Sequence, residues 1–140
     1  MKPTAPFGGL IHFPYSRARP ALDEIARQGP PDAHLGHVMR YTDPVDGGWA
    51  MPTIAPMIRL LPKGFATRAY RSSDGMIFVG VEGAGRIEVE GHAFDVAAHD
   101  VVVVPGWMRY TLAAVGDWVA FSYSDRAAQE RLGFWREQRL

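Results

Sequence analysis

A chain of 140 residues has room for one hydrophobic core, and an apolar share of 47% with 21% charged residues sets it among folded globular proteins. Fifteen basic residues balance fifteen acidic ones and neither sign gathers into a run, so neither a nucleic acid backbone nor an anionic membrane surface is an expected partner. There is no cysteine, which excludes disulfides, thiolate metal sites and cysteine nucleophiles. The proline-broken opening Met1 to Pro6 lacks an apolar signal core, and no stretch approaches the roughly 20 apolar residues of a membrane span, so the expected address is the cytoplasm.

The first periodic segment is Pro20 to Gln28, with proline suited to a first helical position, Leu22, Ile25 and Ala26 at helical spacing, and Gly29-Pro30-Pro31 as the stop. From Asp32 to Gly48 the chain reads as a loop or arm, with one short strand around Val38 to Tyr41. Short β-type runs follow: Thr53 to Leu61, Phe65 to Arg71, Met76 to Val81, Gly85 to Val89, His92 to Val96, Val101 to Val104, Tyr110 to Leu112 and Trp118 to Tyr123. Glycine, proline and aspartate punctuate them, and so regular a series must bury its faces by sheet-on-sheet packing or by closing into a barrel. Val101 to Val104 is apolar on both faces and is expected to lie centrally, covered on each side. After Ser124-Asp125, which offers N-cap chemistry, Arg126 to Gln138 reads as a helix carrying Ala127, Leu132, Phe134 and Trp135, weakened by Gly133. The chain therefore divides into an arm at 1–48, a β-barrel at 49–125 and a terminal helix at 126–140, all within one folding unit.

Gly64, Tyr70, Ser72, Met76 and Gly83 fall at the spacing of a motif in which a glycine precedes an H-x-H pair, a glutamate and a second glycine. His99-Asp100 and Pro105 to Tyr110 follow a second motif that closes on a histidine five residues after a proline. With these spacings the chain resembles the cupin superfamily, and the fold implied is an all-β double-stranded β-helix, a jelly-roll barrel, with a short helix before it and another after it. Residues two apart on a strand share a face, which is how an H-x-H pair aims two imidazoles into such a barrel.

Longer words narrow the resemblance to the C-terminal cupin half of gentisate 1,2-dioxygenase. They are Arg40-Tyr41-Thr42-Asp43-Pro44, Gly47-Gly48-Trp49-Ala50-Met51-Pro52-Thr53-Ile54, Leu61-Pro62-Lys63-Gly64-Phe65 and Tyr70-Arg71-Ser72-Ser73-Asp74. Val103-Val104-Pro105-Gly106-Trp107, Phe121 to Arg126 and Leu132 to Glu137 continue the match over nearly the whole chain. In that family the ferrous iron belongs to histidines of the other, N-terminal cupin. Here the ligand positions hold Tyr70 and Ser72 for the H-x-H pair, Met76 for the glutamate and Tyr110 for the last histidine. Fe(II) prefers imidazole and carboxylate, so no metal cofactor is expected.

Tyr70, Ser72, Met76 and Tyr110, joined by Arg68 at the strand parity of Tyr70 and capped by Trp107, are the expected lining of a pocket for a small aromatic or carboxylated molecule. The alternative is that these side chains simply fill the barrel. His34 and His37 read as polar loop residues rather than a metal pair, His92 and His99 as surface residues, and His12 as packing against the N-terminal arm. Trp118 and Trp135 read as packing residues.

The resulting expectation is a metal-free single cupin that binds a small molecule or serves a structural role, with homodimerisation implied by the resemblance. Two enzymatic readings stand beside it. One is a ring-cleaving dioxygenase, or a subunit of one, with Fe(II) from an unusual ligand set or a partner chain. The other is a metal-free isomerase or cyclase using Tyr70 or Tyr110.

Overall fold

The computed structural model describes residues 14–43 and 45–140, so the expectation for His12 and the place of Pro44 in its motif lie outside the described residues. The elements in chain order are α1 (Tyr15–Gln28), β1 (His37–Arg40), β2 (Met57–Leu61), β3 (Tyr70–Ser72), β4 (Met76–Glu82), β5 (Gly85–Val89) and β6 (His92–Val96). They continue with β7 (Val101–Val104), β8 (Tyr110–Ala114), β9 (Trp118–Ser124), α2 (Arg126–Leu132) and β10 (Glu137–Arg139).

Two five-stranded sheets, ordered β1-β2-β9-β4-β7 and β10-β3-β8-β5-β6, are antiparallel throughout and pack face to face as the expected jelly roll. Alternation decides what goes inside. Met57 and Leu61 of β2, Met76 and Phe78 of β4, Ile87 and Val89 of β5, Tyr110 and Leu112 of β8, and Trp118 and Ala120 of β9 meet in one buried cluster. The intervening residues Ile58 and Leu60 of β2 and Val119 of β9 point the other way and are covered by Ala18 and Leu22 of α1. Strand β2 is therefore buried on both faces, sandwiched between barrel interior and helix.

Several expectations are corrected. Helix α1 starts five residues before Pro20, with Pro14 at its N-cap, and takes Pro20 into its interior. Proline there cannot bond the carbonyl of Ser16, but burial of Ala18 and Leu22 holds the helix through that missing bond. Strand β7 is an edge, not a centre: among the described residues it pairs only with β4, and Val101 and Val103 are each 59% exposed, because α1 covers the opposite end of that sheet face.

The terminal helix is half the expected length. It ends at Gly133 (φ 79°), where the left-handed backbone lets the Phe134 N–H bond the Gln129 carbonyl at 3.0 Å. The chain then reverses, and Glu137–Arg139 adds to β3 as β10, a strand the helical reading missed. Leu132 and Phe134, expected as apolar helix contacts, are exposed. The Arg126 N–H is capped by the Ser124 hydroxyl, 3.2 Å away, rather than by Asp125.

Candidate functional site

Four of the six pocket residues converge. Tyr70 and Tyr110 are register partners across β3 and β8, and their rings meet edge-on with centroids 5.8 Å apart. Phe78 adds a second edge contact to Tyr110 at 5.5 Å. Ser72 and Met76 border the same interior cavity, a space of about 40 Å³ that also touches Met57, Arg59 and Asp74. The Tyr70 hydroxyl donates to Glu137 Oε2 at 2.5 Å, a bond that exists because β10 lies beside β3. Among the described residues the Tyr110 hydroxyl reaches only the Met76 sulfur, 3.9 Å away.

Arg68 and Trp107 do not join them. Between the Ala66–Ala113 bridge and the Tyr70–Tyr110 pair, four residue steps on this side span three on β8, so the segment carries a one-residue bulge. The bulge inverts the parity: Thr67 and Tyr70 are both buried, and Arg68 turns outward to bond the Leu140 carbonyl at 2.7 Å. Trp107 has a left-handed backbone (φ 65°), is 41% exposed, and lies on the Arg71 guanidinium at 4.4 Å outside the cavity. Its place on the cavity lining is taken by Trp135, whose indole N–H donates to Asp74 Oδ1 at 2.9 Å.

The residue that the strand pattern concealed is Arg59. It stands in β2 between Met57 and Leu61, on the parity that faces inward, and none of its surface is exposed. Its guanidinium lies over the Phe78 ring at 5.0 Å and donates to the Ser122 hydroxyl at 3.2 Å and the Leu35 carbonyl at 3.4 Å. Among the described residues Nε has no partner and no carboxylate forms an ion pair with the guanidinium. The available signal was a lone charge inside an otherwise apolar strand at an inward position. Arg40 and Arg126 border the same cavity. Arg126 stacks on Trp135 at 3.8 Å and bonds Glu130 at 2.8 Å.

Burial governs the protonation of the site. Desolvation pushes the Tyr110 phenol up to about 12, and the same cause, with the hydrogen bond to Glu137, holds Tyr70 far above its ordinary range. Desolvation also lowers the Arg59 pKa. Phenols this reluctant to ionise are poorly matched to proton transfer near neutral pH.

Iron held by an unusual ligand set does not fit the donors present. Two phenols, an alcohol and a thioether occupy the four ligand positions, a donor set poorly suited to Fe(II), which prefers imidazole and carboxylate. Among the described residues no group of three or more histidine, aspartate or glutamate side chains is arranged to hold a metal ion. His37 is buried at the start of β1, His34 has a buried Nε2 without a partner among the described residues, and His92 and His99 are exposed.

Comparison with known proteins agrees with this architecture. No protein-family model matches the chain. It is 45% identical over 130 residues to gentisate 1,2 dioxygenase 1 of Aquipseudomonas alcaligenes, covering 93% of this chain and 38% of that protein. Identity to 5-aminosalicylate 1,2-dioxygenase of a Comamonas species is 31% over 131 residues, 92% of this chain and 35% of the relative. The crystal structure of salicylate 1,2-dioxygenase from Pseudoaminobacter salicylatoxidans with gentisate superimposes with a TM-score of 0.84 at 27% identity, over 91% of this chain and 36% of that one. The chain thus spans less than two fifths of the length of these two curated relatives. Its fold is the cupin fold, and it resembles a cupin half of gentisate 1,2-dioxygenase.

Proposed function

We propose that this chain is a metal-free, non-catalytic cupin, related to ring-cleaving dioxygenases, whose barrel works as a structural unit. The observation that carries this reading is the packing of Tyr70, Ser72, Met76 and Tyr110 into the volume where imidazoles would otherwise converge, leaving a cavity of only about 40 Å³. Benzene occupies an engineered cavity of about 150 Å³, so a hydroxylated benzoate does not fit in the space left here. The raised phenols argue equally against Tyr70 or Tyr110 as the acid of an isomerase or cyclase.

The decisive experiment pairs metal analysis with oxygen uptake. Protein purified from iron-replete medium should carry far less than one iron per chain and consume no oxygen with gentisate or salicylate, with or without added Fe(II). Stoichiometric iron within the barrel, or turnover by this chain alone, overturns the reading.

A second reading rests on length. Relatives named as dioxygenases are more than twice as long as the matched stretch, which supports a role as one cupin of a dioxygenase assembly whose iron sits in another. Oxygen uptake that requires both this chain and an iron-bearing cupin chain supports it, and inactivity of the mixture removes it. Homodimerisation belongs to the same proposal and is tested by sedimentation at micromolar concentration, where a strict monomer contradicts it. A cytoplasmic address is part of the same proposal; no helix among the described residues is long and apolar enough to cross a membrane.

A further inference from the structure

The geometry around Arg59 points to a binding site for one small carboxylate-type anion, of formate size, inside the barrel. This site depends on the surroundings of Arg59 and holds whether or not the scaffold reading does. A guanidinium taken wholly out of water costs several kcal/mol unless charge and hydrogen bonds compensate. Arg59 has two neutral acceptors, Ser122 Oγ and the Leu35 carbonyl, a ring face at 5.0 Å, and an unpartnered Nε. No carboxylate of the described residues forms an ion pair with it, although it borders an open space rather than packed carbon.

That space has the right capacity and the right charge. A water needs about 10–15 Å³ of such space, so about 40 Å³ accepts roughly three water-sized groups, the size of one formate ion. A guanidinium suits a planar carboxylate because its fork of N–H donors matches the two oxygens. Arg40, which is exposed, and Arg126 border the same space, so a second and third positive charge flank it. Glu130 offsets Arg126 through their 2.8 Å bond. Asp74 also borders the cavity; its Oδ1 accepts from Trp135, and its Oδ2 has no partner among the described residues.

The probe is sodium formate at constant ionic strength, read by thermal unfolding. Wild-type protein should melt a few degrees higher as formate saturates the site, because a ligand that binds only the native state stabilises it by mass action. Arg59→Met replaces a buried ion by an apolar chain of similar length, a change cores often accept. It should unfold cooperatively with no response to formate, while Arg86→Gln, on the exposed face of β5, responds as wild type does. Crystals of wild-type protein in sodium bromide give a reading independent of any variant: an anomalous peak within about 3.5 Å of the guanidinium, in keeping with an N–H to anion contact. A wild-type melt indifferent to formate, an equal rise in Arg59→Met, or water alone at the site in bromide crystals would overturn the proposal.

Discussion

Tyr70 and Tyr110 face each other across the single register pair of β3 and β8, edge to face at 5.8 Å, and between them close the centre of the barrel. The two positions are where the resemblance implies histidines, and both phenols point inward. Consequences for metal binding, pH response and packing can each be tested.

Restoring the missing donors should create a metal site. The combined variant Tyr70→His, Ser72→His, Met76→Glu and Tyr110→His exchanges two large rings for smaller ones around a cavity that all four residues already line. It should bind about one Co(II) per chain with a visible ligand-field spectrum, since imidazole and carboxylate suit such ions. Wild-type protein should give no such spectrum. A folded variant that stays colourless would show that the four side chains do not converge.

Alkaline pH should destabilise the fold through Tyr110. Its folded pKa is raised from 10.0 to about 12, so across that window the unfolded chain has lost a proton that the native chain keeps. Stability is fully present below pH 10 and falls as pH rises towards 12, by about 2–3 kcal/mol for this group. Tyr70, raised by burial and by Glu137, acts in the same direction. Urea unfolding at several pH values, with phenolate absorbance as the monitor, should show this slope, and Tyr110→Phe should reduce it.

Gly85 should not tolerate a side chain. A Cβ there would overlap the ring of Trp118, which is fully buried and fixed by β9, so Gly85→Ala is expected to cost about 2–3 kcal/mol by overpacking. Gly29 has an extended backbone (φ 173°) and nothing within 4 Å of where a Cβ would stand, so Gly29→Ala should stay within about 0.5 kcal/mol of wild type. Denaturant midpoints of the two variants make the comparison.

The Trp135 indole is the one described donor to Asp74, a carboxylate only 3% exposed. Trp135→Phe should therefore destabilise the protein by about 1–3 kcal/mol, the penalty for leaving a buried acceptor unserved. Asp74→Asn in the same background should recover part of the loss, and a double-mutant cycle measures how much.

The strand rhythm was legible because alternation and turn residues are local signals. β5, β6 and β7 begin and end at the residues that the pattern marks, and β4 and β9 differ by one residue at a single end. The ligand-position residues were legible for the same reason, since Tyr70, Ser72, Met76 and Tyr110 lie on inward faces by strand parity. Arg68 was misplaced because one extra residue between Ala66 and Tyr70 shifts the parity, and a bulge depends on the partner strand rather than on the segment itself.

The amino-acid sequence by itself determined a β-barrel with phenols and a thioether at its centre, because period-two burial and turn chemistry are written in neighbouring residues. Tertiary structure alone decided that Arg59 is buried, that β7 lies at an edge, and that the last residues leave the helix to pair with β3. Each of these depends on which distant element covers a given face, a matter of long-range packing that no local window contains.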